Sequence, residues 1–181
     1  MDGSYENKFF GIDWELPTDC QYDDTLAQQW TKSSYPEMYP LAEKVYDMKQ
    51  RIKMPPEQVK ESIIFKLFKS QNQNSSIVLY AENISTIKGA QVSNLDDYMQ
   101  QALKEAKENK QIALDSEDYE SERIGGTKFY KLTGQIKVPN QVIVQHYYFT
   151  IINNFGLTVI LSANDNAGIA KPEEKLETLS F

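Results

Sequence analysis

Four stretches of strand-forming residues, separated by short turn signals, occupy most of the second half of the chain. They are Ile112–Glu122, Thr127–Val138, Val142–Asn153 and Leu157–Ala163. The separators are Gly125-Gly126, Pro139-Asn140 and Asn154-Phe155-Gly156. Glycine and asparagine tolerate the positive φ angles that tight hairpins need, and strands joined by such turns pair antiparallel with their chain neighbours. The pattern therefore predicts an antiparallel meander.

The first half of the chain predicts three more strands. Phe10–Leu16 alternates apolar residues with polar ones or glycine and stops at Pro17, which is typical of a half-buried strand. Ser62–Lys69 and Ser76–Asn83 are the other two candidates, joined by a polar linker.

Three helices are predicted between and after these strands. Leu41–Lys53 carries apolar residues at helical spacing and is followed by prolines, which end helices. A second helix starts at Leu95 after a cap at Ser93 or Asn94. The third is short, Pro172–Phe181, with proline at its favoured first position. Together with the strands, these helices predict the α+β class.

Composition and charge set limits on the class of protein. With 181 residues, 40% of them hydrophobic, the chain fits one globular domain covering residues 1–181. Its 26 acidic and 19 basic residues give a net charge of −7, so the surface repels phosphate and nucleic acid is not an expected partner. No run of apolar residues is long enough to span a membrane. The polar start leaves two expectations open: a cytoplasmic protein, or a chain whose Met1 stands where an export segment was removed.

The order of strand, long loop, helix, two strands, helix, meander and closing helix resembles the superfamily of the PsbP subunits of photosystem II and the yeast Ran-binding Mog protein. Three segments carry the resemblance. Phe10–Pro17 looks like the family's opening strand, Ile124–Leu132 like its central glycine hairpin, and Glu174–Phe181 like its closing helix and final aromatic residue. The chain is most similar to bacterial lipoproteins of this group, although Cys20 stands where many of them have tryptophan. The resemblance implies an α/β/α sandwich around a mainly antiparallel sheet, and an accessory or binding role without catalysis.

Two reactive side chains, His146 and Cys20, are the candidates for catalysis. His146 is predicted to share a strand face with Val144 and Tyr148, and no acidic residue on that strand could orient its imidazole. Cys20 is the only cysteine, so it forms no internal disulfide, and its one possible imidazole partner lies more than a hundred residues away. We therefore expect His146 to be bonded within the sheet, Cys20 to be inert and the chain not to be an enzyme.

Neither a metal nor a cofactor is expected. Acidic residues recur along one segment, at Asp115, Glu117, Asp118, Glu120 and Glu122. On a strand they would point to both faces rather than converge on a cation, so a solvated edge strand is the simpler interpretation. The loop at 164–168 offers oxygen donors but no closing glutamate, and no phosphate-binding loop is present.

An irregular, proline-punctuated segment carries the one predicted binding site. It contains Trp30, Tyr35, Met38 and Tyr39. Aromatic residues of this kind favour recognition because they offer a large contact area with little entropy to lose. We accordingly expect a binding or accessory domain whose partner is a protein or a small ligand. With the resemblance, this indicates the mature, extracellular part of a surface lipoprotein of a Gram-positive bacterium, attached to the membrane only through a possible removed lipid anchor. The alternatives are a cytoplasmic protein-interaction factor and an enzyme using His146.

Overall fold

The computed structural model describes residues 4–7, 10–15, 20–22, 64–70, 75–84, 91–138 and 141–181. Its strands are β1 (Ser4–Asn7), β2 (Ile12–Glu15), β3 (Cys20–Tyr22), β4 (Ile64–Ser70), β5 (Ser75–Asn83), β6 (Ile112–Leu114), β7 (Glu120–Ile124), β8 (Thr127–Val138), β9 (Gln141–Ile152) and β10 (Phe155–Ala163). The two helices among these residues are α1 (Leu95–Glu108) and α2 (Asn166–Leu176). The helix predicted over Leu41–Lys53 lies outside the described residues.

A single antiparallel sheet organises the described part of the chain. Its strands run in the order β3-β4-β5-β10-β9-β8-β6, and β7 pairs with β8 beside β6. β1 and β2 form a separate hairpin. The sheet core, β5-β10-β9-β8, contains the predicted meander, with β10 returning to lie between β9 and β5.

Among the described residues, each face of the sheet carries one helix. On one face, Trp14 from the hairpin and Ile169 and Leu176 from α2 pack against residues such as Val159 and Tyr148. On the other face, α1 packs its apolar stripe against residues such as Phe149. Neighbouring positions on β9 point to opposite faces, as strand geometry requires. This is the predicted α/β/α sandwich, and the α+β class is confirmed.

Turn chemistry fixes the two hairpins next to the central strands. Gly125 and Gly126 both have positive φ, and a side chain at Gly125 would meet the carbonyl oxygen of Leu179 at 2.4 Å. The predicted turn at Asn154-Phe155-Gly156 is wrong by one residue: Asn153 and Asn154 make the turn, with φ of 51° and 69°, and β10 already begins at Phe155. Asparagine tolerates this left-handed conformation, so no glycine is needed there.

Other parts of the described chain also differ from the sequence predictions. The single strand expected over Ile112–Glu122 is two short strands, β6 and β7, separated by exposed acidic residues. The sequence predicts neither β1 nor β3, and β3 lies where an irregular segment is expected. α2 begins before Pro172, because the Asp165 side chain accepts a 2.8 Å bond from the Gly168 amide and caps the helix there. Pro172 therefore lies inside α2 rather than at its start.

The carboxyl-terminal segment ties α2 to the hairpin. Trp14 is fully buried, and its Nε1 donates a 2.7 Å bond to the carbonyl oxygen of Lys175. Beyond α2, Ser180 and Asp13 exchange two backbone hydrogen bonds of 2.9 and 3.1 Å. The hairpin, α2 and the last residues thus form one covering layer over the sheet.

Candidate functional site

A partly open groove of about 710 Å³ lies between α1 and the sheet. Its floor is formed by β5, β8, β9 and β10, and one wall is the side of α1 that carries Tyr98 and Ala102. Apolar side chains such as Val78, Ile143 and Ile160 supply much of the lining. A concave, mostly apolar space with a few polar groups is the usual form of a small-molecule site.

One end of the groove is organised by Tyr98. Its ring is 3% exposed and lies against Gly156, where any added Cβ would come within 2.3 Å of the ring. The Tyr98 hydroxyl donates to Glu82 Oε1 at 3.0 Å and lies 3.0 Å from Thr158 Oγ1. Since the tyrosine has one proton to give, the Thr158 hydroxyl is the donor in the second bond. Tyr98 therefore holds the Glu82 carboxylate in a fixed position at the groove.

Glu82 carries a negative charge into this end, where none of the described lining residues is a compensating cation. Of the described residues that line the groove, two are charged, Glu82 and Glu105, and none is lysine or arginine. Burial raises the pKa of Glu82, and the nearby charge of Glu105 adds to that effect. Hydrogen bonds from Tyr80 and Tyr98 lower it but do not overcome the burial. The carboxylate is thus positioned and only partly solvated.

The opposite end of the groove is polar and neutral. The Tyr147 hydroxyl donates to Gln145 Oε1, and Gln145 Nε2 donates to Ser162 Oγ at 2.8 Å. Ser162 pairs across the sheet with Ser76, which also lines the groove. Thr158 and Ser162 lie four residues apart on β10, so the two polar ends are separated by about 13 Å. Between them the sheet side of the lining is apolar or aromatic, and the α1 side adds the polar side chains of Gln101 and Glu105.

The other face of the sheet holds a closed polar cluster around Glu173 of α2. Lys131 Nζ at 2.6 Å, Tyr148 Oη at 2.5 Å and His146 Nδ1 at 3.0 Å all bond to Glu173 Oε1. Burial alone would raise the pKa of Glu173, but these three hydrogen bonds and the charge of Lys131 together lower it to about 2. An ionised carboxylate can only accept, so Nδ1 of His146 carries the proton. The cluster fastens α2 to β8 and β9.

His146 lies on the face of Val144 and Tyr148, as predicted, but its expected bond within the sheet is wrong. No acidic residue lies on β9, as the sequence shows, and Glu173 reaches the imidazole from α2 instead. A strand face that carries both His146 and Tyr148 requires a polar partner from the element that packs on it, and this was the signal in the sequence. Separation along the chain hid which helix that was.

The other candidate residues are not brought together. Cys20 lies on β3, which β4, β5 and β10 separate from the strand of His146. Four strand spacings amount to about 19 Å, so the two residues do not form a nucleophile pair. Asp115, Glu117 and Asp118 are exposed and lie between strands, not on one as predicted. No group of three or more histidine, cysteine or acidic side chains among the described residues could hold a metal ion.

The predicted aromatic site has no member among the described residues that line the groove. Its members, Trp30, Tyr35, Met38 and Tyr39, lie outside the described residues, so their role stays a prediction. The groove residues were not singled out from sequence, although Glu82 interrupts the apolar face formed by Val78 and Tyr80 on β5. An acidic residue at a core-facing position is the signal that could have identified this site.

Comparison with solved structures defines the class of fold. No protein-family model and no curated protein matches the sequence. The solution structure of cyanobacterial PsbP (CyanoP) from Synechocystis has a TM-score of 0.56 at 11% identity, covering 97% of this chain and 89% of that one. LpqN of Mycobacterium tuberculosis, described as involved in cell envelope biogenesis, has a TM-score of 0.52 at 13% identity, covering 94% and 83%. A structure from Bacteroides thetaiotaomicron has a TM-score of 0.50 at 13% identity, covering 99% of this chain and 48% of that one.

The chain therefore has a PsbP-like fold, as the resemblance predicted. At 11 to 13% identity the likeness establishes the fold and no activity. Neither described helix, of 14 and 11 residues, is long and apolar enough to cross a membrane.

Proposed function

We propose that this chain is a non-catalytic binding domain of the bacterial cell envelope, and that the groove beside α1 is its binding site. The observation that carries the proposal is the groove itself: a cavity of about 710 Å³ with apolar walls and a fixed carboxylate at one end. The PsbP-like fold and the described involvement of LpqN in cell envelope biogenesis support the envelope location.

The geometry around His146 supports a role without catalysis. The imidazole has the carboxylate partner that a catalytic histidine needs, but that carboxylate also accepts bonds from Lys131 and Tyr148. These contacts join α2 to the sheet and serve its packing. The groove lies on the opposite face, so a molecule bound there does not reach the imidazole.

Filling the groove tests whether it binds ligands. Ala102 lines it from α1, and Ala102→Trp would place an indole in the space. We expect wild-type protein to bind the neutral apolar dye Nile red, and Ala102→Trp to lose that binding. Ala170→Trp is the matched control, because Ala170 is exposed on α2 and carries the same helix-propensity change. Equal dye binding by wild type and Ala102→Trp would refute the groove as the site.

Within the cell envelope, we infer that the domain lies at the cell surface. It would be the mature part of a lipid-anchored protein, with a protein or small-ligand partner. Fractionation of cells expressing the full natural gene tests this directly. Recovery with membranes, together with protease accessibility in intact cells, is expected. Recovery in the cytoplasmic fraction would instead support the intracellular interaction factor.

A further inference from the structure

The two partly buried carboxylates on opposite faces of the sheet have opposite electrostatic surroundings. Glu173 has Lys131 at 2.6 Å and a lowered pKa. Glu82 has tyrosine hydroxyls for neighbours, and burial raises its pKa. The described residues form no ion pair with Glu82. Within the described part of the chain, Glu173 has a positively charged partner and Glu82 has none.

We propose that the groove binds an organic cation, with the cationic nitrogen beside Glu82 and the apolar body along Val78 and Ile160. This inference rests on the proposed function, since it specifies the ligand of the same groove. Charge complementarity carries it: the charged residues of the described lining are the acids Glu82 and Glu105, so the groove favours positive ligands and repels anions. Gln101 Nε2 donates to Glu105 Oε1 at 2.7 Å and steadies the second carboxylate on the α1 side.

Aromatic side chains along the groove add to the preference for a cation. At the acidic end, Tyr98 and Phe149 pack edge to face with ring centroids 6.1 Å apart, and further along β9, toward the neutral end, Tyr147 stacks on Phe149 at 6.3 Å. All three line the groove. Aromatic rings attract cations, and quaternary ammonium groups are typically recognised by such rings.

The same lining disfavours a metal ion. Ca²⁺ takes six to eight oxygen ligands, and Mg²⁺ requires near-ideal octahedral coordination. Here the two carboxylates are accompanied mainly by apolar side chains, tyrosines and neutral polar groups such as Gln101 and Thr158, and Glu82 Oε1 already accepts from Tyr98. The length of the apolar stretch, about 13 Å between the polar ends, fits an ammonium group with a short alkyl tail.

Three probes with a chain of six carbons, the carboxyl carbon of hexanoate included, separate charge from apolar contact: hexyltrimethylammonium, 1-hexanol and hexanoate. Binding is measured by calorimetry, and the site is located by amide NMR shifts of Gly156 and Thr158. We expect hexyltrimethylammonium to bind at least about tenfold more tightly than hexanol, which corresponds to about 1.4 kcal/mol. Hexanoate should bind most weakly.

Glu82→Gln tests the carboxylate, because glutamine still accepts the bond from Tyr98 and keeps the groove's shape. This variant should lose the preference for the cation over hexanol, with hexanol binding unchanged. Glu174→Gln is the control, since it removes the same charge from an exposed position on α2. Equal affinities of hexyltrimethylammonium and hexanol, or an unaltered preference in Glu82→Gln, would overturn the cation proposal while leaving a binding groove. If none of the probes shifts the groove amides, the proposed function fails as well.

Discussion

Replacing Glu173 by glutamine should destabilise the fold and remove part of its sensitivity to acid. Three donors, from Lys131, Tyr148 and His146, meet at Glu173 Oε1. Glutamine keeps an acceptor oxygen at this place but loses the negative charge that faces Lys131. The substitution therefore isolates the electrostatic part of the connection between α2 and the sheet.

The magnitude follows from the lowered pKa of Glu173. A fall from the ordinary value of 4.5 to about 2 corresponds to at most about 3.4 kcal/mol, at 1.36 kcal/mol per pKa unit. The side chain is 33% exposed, so solvent screens the interaction and about 1–2 kcal/mol is the expected loss at neutral pH. For a chain of this length, that loss corresponds to a melting temperature lower by about 2–8 °C.

The sign of the pH dependence is also fixed. Because the folded-state pKa of Glu173 is below its unfolded value, the carboxylate stabilises the fold fully above pH 4.5 and loses this effect as the pH falls toward about 2. Urea unfolding followed by circular dichroism at several pH values between 7 and 2 measures the free energy of unfolding of both proteins.

The difference between wild type and Glu173→Gln should shrink through the window from pH 4.5 to 2. Glu174→Gln, which changes an exposed neighbour, should show no such difference at any pH. A gap between wild type and Glu173→Gln that stays constant with pH, or no gap at pH 7, would refute the electrostatic account of this cluster.

Three further substitutions test the groove and the covering layer by thermal and urea unfolding. Gly156→Ala should lose about 1–3 kcal/mol, because its Cβ would lie 2.3 Å from the Tyr98 ring; wild-type stability would contradict that close approach. Trp14→Phe should lose about 1–3 kcal/mol, because it leaves a gap where the fully buried indole packs and removes the indole bond to the Lys175 carbonyl, which still accepts from Thr178; wild-type stability would contradict this. Glu82→Gln should raise the melting temperature at pH 7: burial raises the folded pKa of Glu82, so wild-type stability falls as pH rises from 4.5 through that value. A lower melting temperature at pH 7 would contradict this.

Local chemistry explains why most of the sheet could be predicted from sequence. The bounds of β8 are as predicted, because Gly125 and Gly126 mark its start and strand alternation continues to Val138. The errors in the predicted bounds occur where two neighbouring residue types both favour a turn. At Asn153 and Asn154, the turn forms one residue earlier than glycine alone indicated.

The closing helix shows the limit of a single-residue rule. Proline favours the first helical position, which made Pro172 a natural start. The Asp165 side chain provides a stronger signal because it caps the amide of Gly168, and the helix continues through Pro172 with one hydrogen bond fewer. Capping by Asp165 therefore determines where α2 begins, and Pro172 does not.

The candidate site is harder to predict from the sequence than the fold. Glu82 lies on β5, Tyr98 on α1 and Thr158 on β10, and no local pattern joins them. Their meeting depends on β10 returning to pair with β5, with Glu82 opposite Gly156. The same register places Gly156 against the Tyr98 ring, where a larger side chain would clash.

At 11 to 13% identity to the compared PsbP-like structures, most side chains of this chain are free to differ while the fold persists. Residues that the fold needs should destabilise it when changed, as we expect for Trp14, Gly156 and Glu173. Glu82 is expected to behave in the opposite way, since a partly buried charge without a cation lowers stability. Glu82 is expected to weaken the fold, yet Tyr98 holds its carboxylate in place. Contact with a ligand would explain why such a residue occupies this position. That contrast, more than the volume of the groove, favours the face of α1 as the functional one.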